Sequence, residues 1–135
     1  MKELVIKAKT ENLDKVLSFL DQQLKEKGCG LKDQVQMDLA VEEIFVNVAN
    51  YAYSPGSGDV KIGIEFTSKP RSIAVTFADR GTPYNPLEKQ DPDITLSAEE
   101  RRIGGLGIYM VKKSVDEMKY VHRDGQNILT IRKHF

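Results

Sequence analysis

Three short groups of residues in this sequence could perform chemistry together, and the first lies in a long helical segment. Glu43, Asn47 and Asn50 recur at intervals of four and three residues, which places them on one side of a helix. The amide oxygen of Asn47 suits Mg²⁺, and the carboxylate of Glu43 could deprotonate a hydroxyl or a water molecule beside it. A second solvated edge, with Glu43 paired to a lysine, explains this pattern equally well.

The second group is an acidic residue beside a glycine, at the end of an apolar strand. Asp79 follows the run Val75–Ala78, and Gly81 comes two residues later. The carboxylate can accept a hydrogen bond from a ligand amine, and the missing side chain of Gly81 leaves room for a flat ring such as adenine. Taken alone, this pattern is more often a simple turn.

The third group is the glycine-rich stretch 104–107, Gly-Gly-Leu-Gly, which directly precedes a predicted helix. Glycines let the backbone approach a ligand closely, and the free N–H groups at a helix start favour a phosphate. The stretch is neither a Walker A loop nor a Rossmann fingerprint, because no Gly-Lys-Ser/Thr follows it and no strand precedes it. A flexible loop that enters a helix is the alternative. Arg101 and Arg102 lie just upstream and could reach a terminal phosphate, although exposed arginines more often contact only water.

The elements that must position these groups follow from hydrophobic periodicity. The sequence predicts helices over about 12–27, 32–53 and 107–118, and strands over 3–9, 60–66, 72–77, 120–123 and 127–133. We predict one domain over residues 1–135 with an α+β fold, a two-layer α/β sandwich whose mainly antiparallel sheet has helices on one face. The irregular stretch between the third strand and the last helix is typical of a lid over a ligand, or of a disordered insertion.

The long helix carries apolar residues in almost every direction, which predicts burial nearly all round. Leu39, Val41, Ile44 and Phe45 belong to this set. Asp38 and Glu42 fall together on one side, which we expect to be the solvent edge.

Composition excludes several classes of function. Lysine plus arginine equals aspartate plus glutamate, 20 each, so nothing draws the whole chain to nucleic acid or to an anionic membrane. Cys29 is the one cysteine, which rules out an intramolecular disulfide. Because no apolar run is long enough for a signal peptide or a membrane span, we expect a cytoplasmic location.

The order of the three groups, with a long lid before the last, resembles the GHKL (Bergerat-fold) ATPases over nearly the whole chain. Finer details resemble the anti-sigma-factor serine/threonine kinases of that superfamily. The matching segments read LAVEEIFVN at 39–47, DRGTPYNP at 79–86 and GGLGIYMV at 104–111.

The resemblance implies roles for individual residues. Glu43 matches the general base, Asn47 the Mg²⁺ ligand, and Asn50 a variable polar position near the nucleotide. Asp79 matches the carboxylate that reads adenine and Gly81 the glycine beneath the base. The glycine-rich stretch that binds the phosphates of ATP is represented by Gly105, Leu106 and Gly107.

The resemblance also implies a reaction and partners. The γ-phosphoryl group of ATP would pass, with Mg²⁺, to a serine or threonine of a STAS-domain antagonist. The unphosphorylated antagonist would bind this protein and release a sigma factor, and a homodimer is implied. The alternatives are a binding module that acts by sequestration only, and the catalytic half of a two-component histidine kinase, for which the chain lacks a phosphoacceptor helix pair.

Two positions depart from the family pattern. Many members place a Gly-Thr pair before the final strand, and that threonine supports the adenine contact. Here the stretch reads Gly125-Gln126-Asn127, so either Asn127 substitutes for the threonine or the contact is absent. Tyr51 stands where the sigma-regulating kinases often carry histidine.

Overall fold

The computed structural model describes residues 1–88 and 105–135. Its helices and strands, in chain order, are β1 Lys2–Lys7, α1 Leu13–Glu26, α2 Leu31–Asn47, β2 Asp59–Ser68, β3 Arg71–Asp79, α3 Gly105–Ser114, β4 Glu117–Arg123 and β5 Gln126–His134. A π-helical turn over Val48–Ala52 extends α2. The predicted lid residues 89–104, which include Arg101 and Arg102, lie outside the described residues.

The five strands form one antiparallel sheet in the order β1-β2-β3-β5-β4. Strand β3 is central, and its last residue, Asp79, lies directly opposite Asn127 of β5. The end of β3 therefore sits in the middle of the sheet, where neighbours on both sides can hold it.

A single apolar core lies between the helices and one face of the sheet. Alternate residues of β2 and β3 are almost fully buried, because successive side chains of a strand point to opposite faces. The strand members of this core are Val60, Ile62, Ile64, Ile73, Val75, Phe77, Leu129 and Ile131; the helix members include Val16, Leu20, Leu24, Met37, Val41, Ile44, Phe45 and Val111. The predicted α+β sandwich with helices on one face is confirmed.

Two predictions about the helices were wrong. The helix predicted to end near Met118 ends at Ser114, and Met118 instead pairs with Ile131 in strand β4. Met118 fits the helical spacing of apolar residues, but it also packs against the core from its position in strand β4. The spacing alone therefore could not show where the helix ends. Helix α2 is not buried all round, because the side chain of Leu39 is 60% exposed.

Candidate functional site

A cavity of about 190 Å³ opens between the end of α2, the ends of β3 and β5, and the first turns of α3. Its walls are mainly apolar and include Ile44, Val48, Phe77, Ile108 and Leu129. The polar and aromatic side chains in the wall are Asn47, Tyr51, Asp79, Thr82, Tyr84, Tyr120 and Asn127. An apolar cavity with a few convergent polar groups is the usual form of a small-molecule site.

Asp79 is the buried carboxylate of this cavity, with 5% of the residue exposed. Its Oδ1 accepts hydrogen bonds from the backbone N–H of Gly81 at 2.9 Å and from the side-chain amide of Asn127 at 3.0 Å. Among the described residues, both donors reach Oδ1, and a carboxylate has a second oxygen with lone pairs of its own. Oδ2 is therefore the atom that can accept a hydrogen bond from a ligand amine.

Asn127 holds the loop that follows Asp79. Besides Asp79, its Nδ2 donates to the carbonyl oxygens of Gly81 at 3.3 Å and Thr82 at 3.0 Å. Of the two alternatives at this position, substitution for the family's threonine agrees with the structure, because the supporting contact to Asp79 is present.

The amide oxygen of Asn127 is also engaged. It accepts hydrogen bonds from the backbone N–H of Tyr84 at 3.2 Å and from the hydroxyl of Tyr120. Sequence reasoning assigned no role to either tyrosine, although Tyr84 lies within the matching segment DRGTPYNP at 79–86. For Tyr120, the signal in the sequence is the alternation of β4, which would have placed it on the helix-facing side of the sheet.

The end of α2 is fastened to the same loop. The backbone N–H of Thr82 donates to the carbonyl oxygen of Ala52 at 2.8 Å, and that of Arg80 donates to the hydroxyl of Tyr53 at 2.7 Å. A Cβ atom on Gly81 would overlap the backbone of Ala52. Packing therefore explains the glycine, because the loop and the end of the helix approach too closely for a side chain at position 81. Gly81 is not among the described residues that line the cavity.

Glu43 and Asn47 lie one turn apart on α2, and the amide nitrogen of Asn47 donates to Oε1 of Glu43 at 3.5 Å. Asn47 lines the cavity, whereas Glu43 lines an adjoining groove between α2 and α3. A Cβ atom on Gly107 would overlap the Glu43 carboxylate, so the first turn of α3 lies directly against it. Residues from all three predicted groups, on α2, β3 and α3, therefore meet at one end of the molecule.

The residues present fit a magnesium ion that is held mainly by a nucleotide. The described residues contain no cluster of three or more His, Cys, Asp or Glu side chains that could hold a metal by themselves. Mg²⁺ usually keeps several waters and takes one or two protein oxygens beside phosphate oxygens. Because the amide nitrogen of Asn47 faces Glu43, its amide oxygen faces away from that carboxylate and suits this role.

The remaining predicted site residues are placed as follows. Asn50 lies in the π-helical turn, is exposed, and is not among the described residues that line the cavity. Gly105 and Leu106 form the start of α3. Gly107 lines the groove beside Glu43.

These features define a class of protein: an α+β domain with a buried carboxylate at a strand end, a Glu-x-x-x-Asn pair on a helix and a glycine-rich helix start. Residues 6–133 match the family model described as histidine kinase-like ATPase domain. The chain belongs to this family, and the resemblance to the GHKL ATPases and their anti-sigma-factor kinase branch is confirmed.

Curated relatives carry kinase names. The chain is 26% identical over 98 residues to serine/threonine-protein kinase BtrW of Bordetella bronchiseptica, covering 73% of this chain and 68% of that protein. It is 26% identical over 131 residues to serine-protein kinase RsbW of Bacillus thuringiensis, covering 94% and 81%. It is 28% identical to RsbW of Listeria monocytogenes, where the match covers 69% of this chain but only 61% of the relative.

Solved structures share the fold. The RsbU and RsbW domains of Rv1364c from Mycobacterium tuberculosis superpose with a TM-score of 0.68 at 17% identity, over 99% of this chain and 32% of that chain. The histidine kinase domain of Erythrobacter litoralis EL346 gives a TM-score of 0.59 at 18% identity, over 93% of this chain and 60% of that chain.

Within the described residues, no helix is both long and apolar enough to span a membrane.

Proposed function

We propose that this protein is a cytoplasmic anti-sigma regulatory factor with ATP-dependent serine/threonine kinase activity. It phosphorylates a STAS-domain antagonist, sequesters a sigma factor when the antagonist is phosphorylated, and acts as a homodimer. The observation that supports this most strongly is the position of the Glu43 carboxylate. It lies against Asn47 and Gly107, beside the cavity that contains Asp79.

In this proposal, the cavity binds the adenine ring of ATP. Oδ2 of Asp79 accepts a hydrogen bond from the exocyclic amine, while Asn127 and Gly81 fix the carboxylate through Oδ1. The apolar walls contact the faces of the ring. The triphosphate extends towards α3, where the first backbone N–H groups of the helix favour negative charge. The amide oxygen of Asn47 would hold Mg²⁺, which would supply charge stabilisation on the phosphate oxygens.

Glu43 then acts on the phosphoacceptor. The serine or threonine hydroxyl of the antagonist enters the groove beside Glu43, and the carboxylate takes its proton as the oxygen attacks the γ-phosphorus. The bond between the γ-phosphorus and the bridging oxygen breaks, ADP leaves, and the phosphate ester remains on the antagonist. The hydrogen bond from Asn47 holds the carboxylate in place before the hydroxyl arrives.

Transfer of labelled γ-phosphate from ATP-Mg²⁺ to a STAS-domain protein of the same organism tests this proposal. We expect a phosphorylated serine or threonine with the wild-type protein and a rate about 10²- to 10⁴-fold lower with Glu43→Gln. Glu65→Gln, on the opposite face of the sheet, is the matched control and should transfer normally. A tight complex without any transfer would instead support the binding module, and normal transfer by Glu43→Gln would exclude Glu43 as the base.

A further inference from the structure

Helix α2 exposes a row of apolar side chains to solvent. Leu31, Val35 and Leu39 are 75%, 47% and 60% exposed and recur every four residues, so they form one ridge along the helix. Glu43 is the next position in the same series. Contiguous exposed apolar side chains usually mark an interaction surface. The ridge therefore leads along the outside of α2 to the proposed catalytic carboxylate.

The ridge runs into the groove between α2 and α3, which encloses about 320 Å³. Leu39 and Met110, which is 55% exposed, line its two sides, and the buried Ala40 and Val111 lie between them. Glu43 also lines this groove. An extended or helical segment that covers the ridge would consequently bring its next residues to the Glu43 carboxylate.

The groove is acidic. Glu42 and Glu43 are the only charged side chains among the described residues that line it. Asp38 adjoins Glu42, and its pKa is raised to about 7, first by burial and then by the nearby carboxyls of Asp21 and Glu42. Among the described residues, none of these carboxylates forms an ion pair. A cation from a partner would relieve this concentration of negative charge.

We infer that the ridge and the groove together form the docking site of the phosphoacceptor protein. This inference rests on the proposed function. The acceptor presents apolar side chains to Leu31, Val35, Leu39 and Met110, and a lysine or arginine to the carboxylates beside them, close to its serine or threonine. The ridge is hydrophobic, the groove is acidic, and both are continuous with Glu43.

A second copy of this chain fits the surface less well. A symmetric dimer places the same patch of each subunit against the other, which would bring two acidic grooves face to face. Such a dimer would also cover Glu43 and block entry of a hydroxyl. The other face of the sheet carries Val5 and Val121, which are exposed among the described residues, and offers a separate surface for subunit association.

The test uses a panel of synthetic peptides, titrated into the ¹⁵N-labelled protein. Each peptide has leucines at four-residue intervals, an arginine beside them and one serine at a varied distance downstream. We expect amide shifts confined to the ridge and to the first turns of α3, and binding weakened about tenfold or more by Leu39→Ser. Val121→Ser, an equally simple change on the sheet face, should bind normally. Peptides with glutamate in place of arginine should bind several-fold more weakly.

Two results of the titration would overturn the docking site: shifts that avoid the ridge for every peptide, or equal binding by the glutamate peptides. Loss of a dimer in Leu39→Ser, measured by sedimentation, would also overturn it by assigning the ridge to self-association. Phosphoryl transfer to the STAS-domain protein separates this inference from the proposed function. If the ridge is the docking site, Leu39→Ser raises KM for the STAS-domain protein and leaves kcat unchanged. Peptide binding at the ridge without any transfer by the wild type would reject the kinase and leave the ridge as a docking site for a partner that is not phosphorylated.

Discussion

The side-chain amide of Asn127 donates a hydrogen bond to Oδ1 of Asp79 at 3.0 Å, across a pair of directly opposed residues in β3 and β5. Both residues are more than nine-tenths buried. The contact links the register of the central strands to the orientation of one carboxylate. In the proposed function, the recognition of a ligand amine by Asp79 therefore depends on Asn127, a residue that is distant in sequence.

Replacing Asn127 by leucine should weaken both the fold and nucleotide binding. The change removes the donor to Asp79 and to two loop carbonyl groups, and each unsatisfied buried group costs about 1 to 3 kcal/mol. Denaturant unfolding and calorimetric titration with ADP-Mg²⁺ measure the two effects. Gln126→Leu, at the neighbouring position, is the control. Unchanged ADP affinity in a folded Asn127→Leu protein would show that the contact does not orient Asp79 for binding.

Asp79→Ala should abolish the stabilisation that ATP-Mg²⁺ gives to the protein. A ligand that binds only the native state raises Tm, and the rise disappears when binding is lost. Because the substitution also removes the acceptor for Gly81 and Asn127, the ligand-induced shift in Tm is the quantity to compare, rather than Tm itself. A normal shift in this variant would remove the adenine assignment.

Gly107→Ala should lower kinase activity while the protein stays folded. A Cβ at this position overlaps the Glu43 carboxylate, so the carboxylate must move from its place beside Asn47. Alanine itself favours a helix by about 1 kcal/mol over glycine. The rate of phosphoryl transfer and the free energy of unfolding should therefore change in different directions.

Gly30→Ala provides the matched control, because no atom of the described residues lies within 4 Å of a Cβ atom at Gly30. This variant should transfer phosphate at the wild-type rate. Equal rates for Gly107→Ala and Gly30→Ala would mean that the position of Glu43 against α3 has no part in the reaction.

Asp38→Asn should stabilise the protein most at alkaline pH. The pKa of Asp38 is raised to about 7 from its ordinary 3.8, mainly by burial and by Asp21, so the folded state holds a proton that the unfolded state releases. The contribution of Asp38 to stability is therefore full below pH about 4 and is lost as the pH rises to about 7. The asparagine variant has no such loss.

The difference in free energy of unfolding between Asp38→Asn and wild type, followed by urea denaturation across this range, measures the effect. The difference should grow up to pH about 7 and then level off. A flat difference for Asp38→Asn would show that Asp38 ionises normally in the folded protein.

Much of the fold could be predicted from sequence because alternation and helical spacing are local properties. The apolar alternation of β2 and β3 and the one-turn spacing of Glu43 and Asn47 are of this kind. Which side of a helix faces water is not a local property, because it depends on what packs against that helix. The hydrophobic pattern predicts burial for Leu39. In the structure no other layer covers this part of α2 among the described residues, and the pattern alone cannot reveal that.

The candidate site shows the same division. The position of Asp79 and Gly81 at the end of a strand could be predicted from sequence. The structural reason for a glycine at position 81 could not. The proximity of Gly81 to Ala52 depends on how the end of α2 crosses the loop. The contact of Asn127 with Asp79 depends on the pairing of β3 with β5. The sequence alone left two alternatives for Asn127: it substitutes for the family's threonine, or the contact is absent.

A crystal structure with a non-hydrolysable ATP analogue and Mg²⁺ would test the central claim most directly. The account predicts the adenine amine within hydrogen-bonding distance of Oδ2 of Asp79. It also predicts the amide oxygen of Asn47 about 2.1 Å from the metal, and the γ-phosphate beside Glu43. A nucleotide bound elsewhere, or in this cavity with its phosphates directed away from Glu43, would contradict it.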